Sequence, residues 1–219
     1  MTSIDPVRSF VATQTALLAP TMHEAMSSAI HGARTRMHGL DLTKYPTQFS
    51  GLVRAELRED LETRSLLDGW TVGGDPRQMA QLTLVNDENA LVFRFLKENR
   101  GNAGGVPHAG PSRARQRAWN QLHLPFDPDP AVEPSSRASG QPATFLLLWA
   151  LKNAHDPELG FTLRLVHTID SGTHRHGATC DMEIELRPGG SIFDHLAFRG
   201  SDESGDLFTI EIAEENDGG

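Results

Sequence analysis

The spacing of apolar residues changes near residue 70 and divides the chain into two parts. In residues 1–68 the apolar positions recur every three or four residues, which is typical of amphipathic helices. In residues 69–219 several short runs alternate apolar and polar side chains, which is typical of strands with one buried face. This order predicts an α+β fold, with N-terminal helices followed by a mostly antiparallel sheet in a meander or sandwich-like arrangement. We expect the two parts to form one folding unit.

The first part contains the signals of two or three helices. One helix is expected to begin at Asp5 and Pro6, a good cap and first-turn pair, and Pro20 should end or kink it. A second apolar set, rich in methionine and alanine, continues to Met37, and a further helix is expected over residues 46–67. The Met/Ala face suits core packing or the docking of a partner helix, and core packing is favoured because apolar stripes usually face the core.

Strand patterns fill most of the second part. A hairpin is expected over residues 81–95, around a turn at residues 86–89. The run FLLLWAL at residues 145–151 is apolar throughout, which predicts a central strand buried on both faces. Alternating segments over residues 161–170 and 180–187 continue the sheet. Two further strands are expected near residues 196–198 and 207–212.

Two long connections interrupt the predicted sheet. Residues 94–121 are rich in glycine and basic side chains, and they end in a short helix over residues 111–121 with Ser112 as its cap. Residues 125–142 are rich in proline and serine, which predicts an irregular, exposed loop. Loops of this kind often carry the specificity of a protein.

The composition favours a soluble intracellular protein. The chain has 219 residues, of which 38% are hydrophobic, and Cys180 is its one cysteine, so a sizeable core is expected and an internal disulfide is not. The first ten residues lack the apolar segment of a secretory signal, and no apolar run approaches the roughly 20 residues that cross a membrane. We therefore expect a cytoplasmic location and no membrane association.

A basic island lies within this acidic chain. Residues 94–117 carry six positive charges against one negative charge at Glu98, a local balance of +5, whereas the whole chain carries −9. A solvated surface usually mixes its signs, so the island predicts contact with something anionic. The residues of this candidate partner- or anion-binding site are Arg94, Lys97, Arg100, Arg113, Arg115, Arg117 and Trp119.

Three anionic partners remain open for the island: acidic residues of this chain or of an oligomeric neighbour, an acidic protein, and a nucleic acid. The segment 101–110 matches neither GxxxxGK[ST] nor GxGxxG, so we do not expect a nucleotide-binding P-loop. The segment is instead suited to a flexible lid that leads the arginines to phosphates while Trp119 stacks on a base. The net charge of −9 weighs against duplex binding.

The segment HTIDSGTHRHGATCD contains a candidate metal site. Imidazole and thiolate are preferred zinc ligands, but their spacing here matches no standard zinc motif. Strand parity also directs His167 and Cys180 to the apolar face and Asp181 away from it. We therefore predict no metal or other cofactor and interpret the segment as a hairpin loop. The candidate ligands are His167, His174, His176, Cys180 and Asp181.

Three carboxylates on one predicted strand offer a catalytic alternative. Asp181, Glu183 and Glu185 are spaced for one face, where they could gather Mg²⁺ for phosphodiester cleavage. No ExK triplet accompanies them, and a strand facing solvent explains the same pattern.

The sequence favours a non-enzymatic binding or regulatory protein that engages a macromolecular partner through the basic island and a helical face. The expected partner is a protein, including a second copy of this chain, and nucleic acid is the other candidate. The alternative function is a metal-dependent, nuclease-like enzyme that processes nucleic acid with the three strand carboxylates.

Overall fold

A sheet of seven strands lies at the centre of the fold. The computed structural model describes residues 6–122, 124, 142–189 and 192–194. These residues form the predicted α+β arrangement of N-terminal helices followed by a mostly antiparallel sheet. The helices are α1 (Pro6–Arg36), α2 (Pro46–Thr63) and α3 (Arg113–Trp119). The strands are β1 (Thr71–Gly73), β2 (Thr83–Asn86), β3 (Leu91–Lys97), β4 (Ala143–Leu151), β5 (Phe161–Thr168), β6 (Cys180–Leu186) and β7 (Ile192–Asp194).

The strands follow one another across the sheet in sequence order. Every neighbouring pair is antiparallel except β3 and β4, which are parallel. The parallel pair was not predicted. Parallel neighbours need a crossover connection, and residues 98–142 provide it. We call the described part of this connection, residues 98–122 and 124, the crossover.

Two layers cover the two faces of the sheet. On one side, which we call the helix face, α1 and α2 pack on strand side chains such as Phe145, Leu147 and Trp149. On the other side, the crossover face, Val106, Ala109 and Trp119 of the crossover pack on the alternate side chains of the same strands, including those of Leu146 and Leu148. The prediction that residues 145–151 form a central strand buried on both faces is therefore confirmed.

Helix α1 continues through Pro20 without ending there. An interior proline costs about 3 kcal/mol because it lacks the donor for one helical hydrogen bond. Burial of the neighbouring Leu18, Ala19 and Met22 in the core offsets that cost. The Met/Ala face is core, as favoured, and so does not present a docking surface. Its buried residues are Met22, Ala25, Met26, Ala29, Ile30, Ala33 and Met37.

Helix α2 begins at Pro46 as predicted but ends at Thr63, before the predicted boundary. Arg64 adopts an extended backbone, and its side chain bonds back to Asp60, which closes the helix. The predicted hairpin is confirmed by the antiparallel pairing of β2 and β3. Strand β7 was not predicted.

Several predictions fall outside the described residues: the cap at Asp5, nearly all of the proline-rich loop, and the strands near residues 196–198 and 207–212. Among the helices that the structure describes, none combines the length and apolar character needed to cross a membrane.

Candidate functional site

The sheet divides the basic island between its two faces. Arg94 pairs in register with Leu146, whose side chain belongs to the crossover face. Lys97 pairs with Trp149, whose side chain belongs to the helix face. Paired residues of parallel strands point to the same side of the sheet. The island is therefore not one continuous surface.

Lys97 and Arg100 contact the end of β4. The Nζ atom of Lys97 lies 5.5 Å from the centre of the Trp149 ring, within range of a cation–π interaction. Burial, together with the nearby charge of Arg100, lowers the pKa of Lys97. Arg100 donates a hydrogen bond to the carbonyl of Leu151. Both cations thus have contacts within the fold.

Arg94 lies over Trp119 and links α3 to the sheet. The guanidinium carbon of Arg94 is 5.7 Å from the centre of the Trp119 ring. Burial, and in second place the charge of Arg115, lowers the pKa of Arg94. Trp119 is only 1% exposed, and its Nε1 donates to the carbonyl of Pro107 at 2.9 Å. Trp119 is a core residue, so it does not offer the base-stacking surface that the nucleic-acid hypothesis needs.

Helix α3 presents three arginines to solvent. Ser112 caps the helix by accepting a hydrogen bond from the backbone N of Arg115, as predicted. Arg113 and Arg117 are four residues apart and lie on one side of the helix, whereas Arg115 lies near Arg94. Within the described residues, none of these four arginines forms an ion pair with a carboxylate. We call Arg94, Arg113, Arg115 and Arg117 the α3 basic face.

Arg164 neutralises the one carboxylate of the island and holds the glycine-rich segment. Its Nε donates to Glu98 at 2.5 Å, its Nη1 donates to Glu183 at 2.6 Å, and its Nη2 donates to the carbonyl of Gly104. Gly105 has a φ of +70°, and a Cβ there would lie 2.7 Å from the Nη2 of Arg164, so this position needs glycine. These contacts fix the segment on the sheet and contradict its interpretation as a flexible lid.

A cleft of about 480 Å³ lies between α3 and the β5–β6 loop. The loop is held against the crossover by the backbone N of Ala109, which donates to the carbonyl of Ser171 at 2.8 Å. The Ser171 hydroxyl donates to the carbonyl of Gln116 at 3.4 Å, and the Gln116 amide donates to the carbonyl of Gly110 at 2.8 Å. The cleft is lined by Arg113, Gln116, Arg117, Asn120 and Ser171.

The five candidate metal ligands do not converge. His167 meets Asp181 on the helix face, whereas Cys180 packs with the apolar cluster of the crossover face. His174 instead lies near His108, with ring centres 5.9 Å apart. Burial raises the pKa of Cys180 to about 12, so its thiol is protonated at neutral pH. In the part of the chain that the structure describes, no group of three or more His, Cys, Asp or Glu side chains is placed to hold a metal ion.

A β-bulge turns Asp181 to the face opposite the predicted one. The pairing register of β5 and β6 shifts between His167 and Thr168. Oδ1 of Asp181 lies 2.6 Å from Nδ1 of His167, and Oδ2 accepts from the backbone N of Leu124 at 2.6 Å. The prediction that Asp181 points away from the face of His167 is wrong, because a bulge breaks the alternation of side chains.

The three strand carboxylates therefore have separate surroundings. Asp181 is buried against His167, Glu183 bonds to Arg164, and Glu185 lies 3.8 Å from Arg187. The prediction that all three line one face is wrong for Asp181. These residues do not form the converging carboxylate set that Mg²⁺-dependent cleavage requires.

Sequence reasoning did not identify Arg164, Gln116 or Ser171. Arg164 had a visible signal, because it is an isolated charge within an alternating, mainly apolar strand. Ser171 had no such signal, since it meets Gln116 only through the folding of segments far apart in the chain.

Comparison of this chain with known proteins found no protein-family model, curated protein or solved structure that matches it.

Proposed function

We propose that this protein is a non-enzymatic binding protein that docks onto an acidic surface of a partner protein through the α3 basic face. One observation carries the proposal. Three guanidinium groups extend from one short helix and that of Arg94 lies beside it on β3, and none of the four is paired with a carboxylate among the described residues. An arginine presents a planar fork of donors that matches a carboxylate, so such a group favours an anionic partner.

Two features favour a protein partner over a nucleic acid. Trp119, the one aromatic side chain of the island predicted to stack on a base, is buried and hydrogen-bonded at Pro107. The chain as a whole carries −9, which opposes the approach of a polyanion through long-range repulsion. A local acidic patch on a protein carries fewer charges than a polyanion, so the net charge of this chain repels it less.

The experiment is a charge reversal of the helix. The variant Arg113→Glu, Arg115→Glu, Arg117→Glu is expected to fold as the parent does, because each exposed charge contributes about 0–1 kcal/mol to stability. Partners captured from the native cell by the parent protein and identified by mass spectrometry are then purified. Their affinity is measured by calorimetry for both proteins, at low and high salt. We expect the reversal to abolish binding, most visibly at low salt.

A matched control reverses three other exposed cations, with the changes Lys44→Glu, Arg77→Glu and Lys152→Glu. This control has the same change in net charge and should retain binding. Retained binding by the helix variant, equal loss in the control, or a captured partner that proves to be nucleic acid would each contradict the proposal. Sedimentation of the parent protein alone shows whether the partner is a second copy of this chain.

A further inference from the structure

We infer that the cleft between α3 and the β5–β6 loop binds a phosphoryl group, carried by a phosphorylated serine or threonine of the partner protein. The inference rests on the proposed function and names the chemistry of one subsite within it.

The cleft offers hydrogen-bond donors and positive charge. Arg113 and Arg117 lie one helical turn apart, so their side chains are neighbours on the helix surface. Asn120 adds an amide, whereas the Ser171 hydroxyl already donates to the carbonyl of Gln116. Among the residues that the structure describes, no carboxylate lines the cleft. Two guanidinium forks with neutral donors beside them suit the three terminal oxygens of a phosphoryl group, which carries about −1.5 to −2 charges at neutral pH.

The two walls of the cleft are fixed by their own hydrogen bonds. Gln116 and Ser171 are joined to each other and to the crossover by the bonds described above. On the loop side, Oδ1 of Asp170 accepts from the backbone N of Gly172 at 2.8 Å and of Thr179 at 3.0 Å. The nearest acidic side chain of the loop is thus engaged by backbone donors. A site formed before the ligand arrives loses less entropy on binding.

The form of the cleft favours a phosphorylated protein segment over a nucleic-acid strand. A strand is usually bound along a groove with repeated phosphate contacts and exposed aromatic rings. Here the two arginines serve a single cleft, and Trp119 of the same helix is buried. A volume of about 480 Å³ lies within the usual range for small-ligand sites, so a phosphorylated side chain can enter.

The experiment compares four probes by fluorescence anisotropy. They are a short alanine peptide with one central phosphoserine, the same peptide with serine, the same peptide with glutamate, and a short single-stranded RNA. We expect the parent protein to bind the phosphoserine peptide at least about tenfold more tightly than the serine and glutamate peptides, since charge-assisted forks discriminate by charge and geometry. Equal affinity for the glutamate peptide, or tighter binding of the RNA, would overturn the inference.

Two variants locate the binding. The double variant Arg113→Gln, Arg117→Gln should bind the phosphoserine peptide at least about tenfold more weakly, because both guanidinium groups of the cleft are lost. Arg115 lies on the Arg94 side of α3, farther from the cleft. Arg115→Gln should therefore weaken binding of the phosphoserine peptide by less than about threefold, the effect of a more distant charge. Equal losses in both variants would show general electrostatic attraction and would contradict a site in the cleft.

Failure of this inference can be distinguished from failure of the proposed function. If the probes do not discriminate but the purified partner still depends on the α3 arginines, the proposed function stands and the cleft is not a phosphoryl site. If the phosphoserine peptide binds as expected but the partner binds the charge-reversal variant normally, the cleft is a phosphoryl site and the proposed function is wrong.

Discussion

Nδ1 of His167 lies 2.6 Å from Oδ1 of Asp181, and both side chains are almost fully buried on the helix face. Arg8 of α1 approaches the same carboxylate, with its Nη2 at 3.9 Å from Oδ2, and donates to the backbone carbonyl of Asp181 at 2.8 Å. The bulge thus joins the first helix to the sixth strand through a buried polar contact, and the strand pattern alone gave no sign of it.

The first prediction concerns the buried carboxylate. Asp181→Ala should lower the free energy of unfolding by about 3–5 kcal/mol, because it leaves the partners of a buried charge without an acceptor. Glu185→Ala on the same strand, where the carboxylate is partly exposed, should cost less than about 1 kcal/mol. Urea denaturation of both variants measures the difference. Similar losses would contradict a special role for the buried pair.

The second prediction is the pH dependence of that contribution. Burial alone would raise the pKa of Asp181, but the hydrogen bond and charge of His167, the backbone N of Leu124 and the charge of Arg8 lower it overall. A lowered pKa in the folded state stabilises the fold above the unfolded value, near 3.9, and this stabilisation is lost as the pH falls through the folded value. The difference in the free energy of unfolding between the parent protein and the Asp181→Asn variant should therefore become smaller below about pH 4. Denaturation midpoints of both proteins between acidic and neutral pH test this, and a gap that widens with acid would contradict it.

The third prediction concerns the attachment of the crossover. Arg164→Met removes the shared partner of Glu98, Glu183 and the Gly104 carbonyl, and should cost roughly 2 kcal/mol or more. Backbone amides of residues 99–106 should exchange faster with deuterium, since the segment loses its contact with the sheet. Arg77→Met, at a side chain that is 92% exposed, is the control. Unchanged exchange in the Arg164 variant would show that the segment is held by other contacts.

The fourth prediction compares two glycines of positive φ. Gly39 has a φ of +83° and open space around its Cα, so alanine there should cost about 1 kcal/mol for the backbone alone. Gly172 has a φ of +62°, and a Cβ there would lie 2.1 Å from the carbonyl oxygen of Gly177. Gly172→Ala must therefore shift the β5–β6 loop. It should lower the free energy of unfolding more than Gly39→Ala does, and it should weaken binding of the phosphoserine peptide. Equal stability of the two variants, measured by thermal denaturation, would contradict the tight loop packing.

The fifth prediction tests the central strand. Trp149 is fully buried, so Trp149→Ala should lower the free energy of unfolding by about 3–5 kcal/mol through lost burial and an incompletely filled cavity. Leu159 is 57% exposed, and Leu159→Ala should change stability by no more than about 0.5 kcal/mol. A Trp149 variant with a midpoint close to that of the parent would contradict the position of β4 at the centre of the core.

Local periodicity was sufficient to predict most of the secondary structure. The alternation in β3, β5 and β6 and the apolar run of β4 reflect burial on one or two faces, and burial is the property that the pattern reports. Features that depend on distant segments were not accessible in this way. Pro20 remains inside α1 because burial in the core stabilises the turns on both sides of it, and the parallel pairing of β3 with β4 follows from the path of the crossover.

The candidate surface was predictable only in part. The cap at Ser112 follows from a local sequence signal and was predicted. Lys97 follows Arg94 by three positions along one strand, and this odd offset places their side chains on opposite faces. Ser171 enters the cleft from a loop far along the chain, so local analysis had no means to pair it with α3.

The parallel pairing of β3 with β4 also bears on how the chain reaches its fold. The β1–β3 meander and the β4–β7 meander can each form from strands that are near neighbours in sequence. The pairing of β3 with β4, in contrast, forms only when the chain between residues 98 and 142 has closed into a loop. The conformational entropy of that loop is lost before the contacts between the two strands compensate for it. We therefore expect the pairing of β3 with β4 to govern the rate of folding. Changes at the paired residues Phe95 and Leu147 should slow folding, whereas changes in strands away from this pair, such as β1 and β6, should mainly speed unfolding.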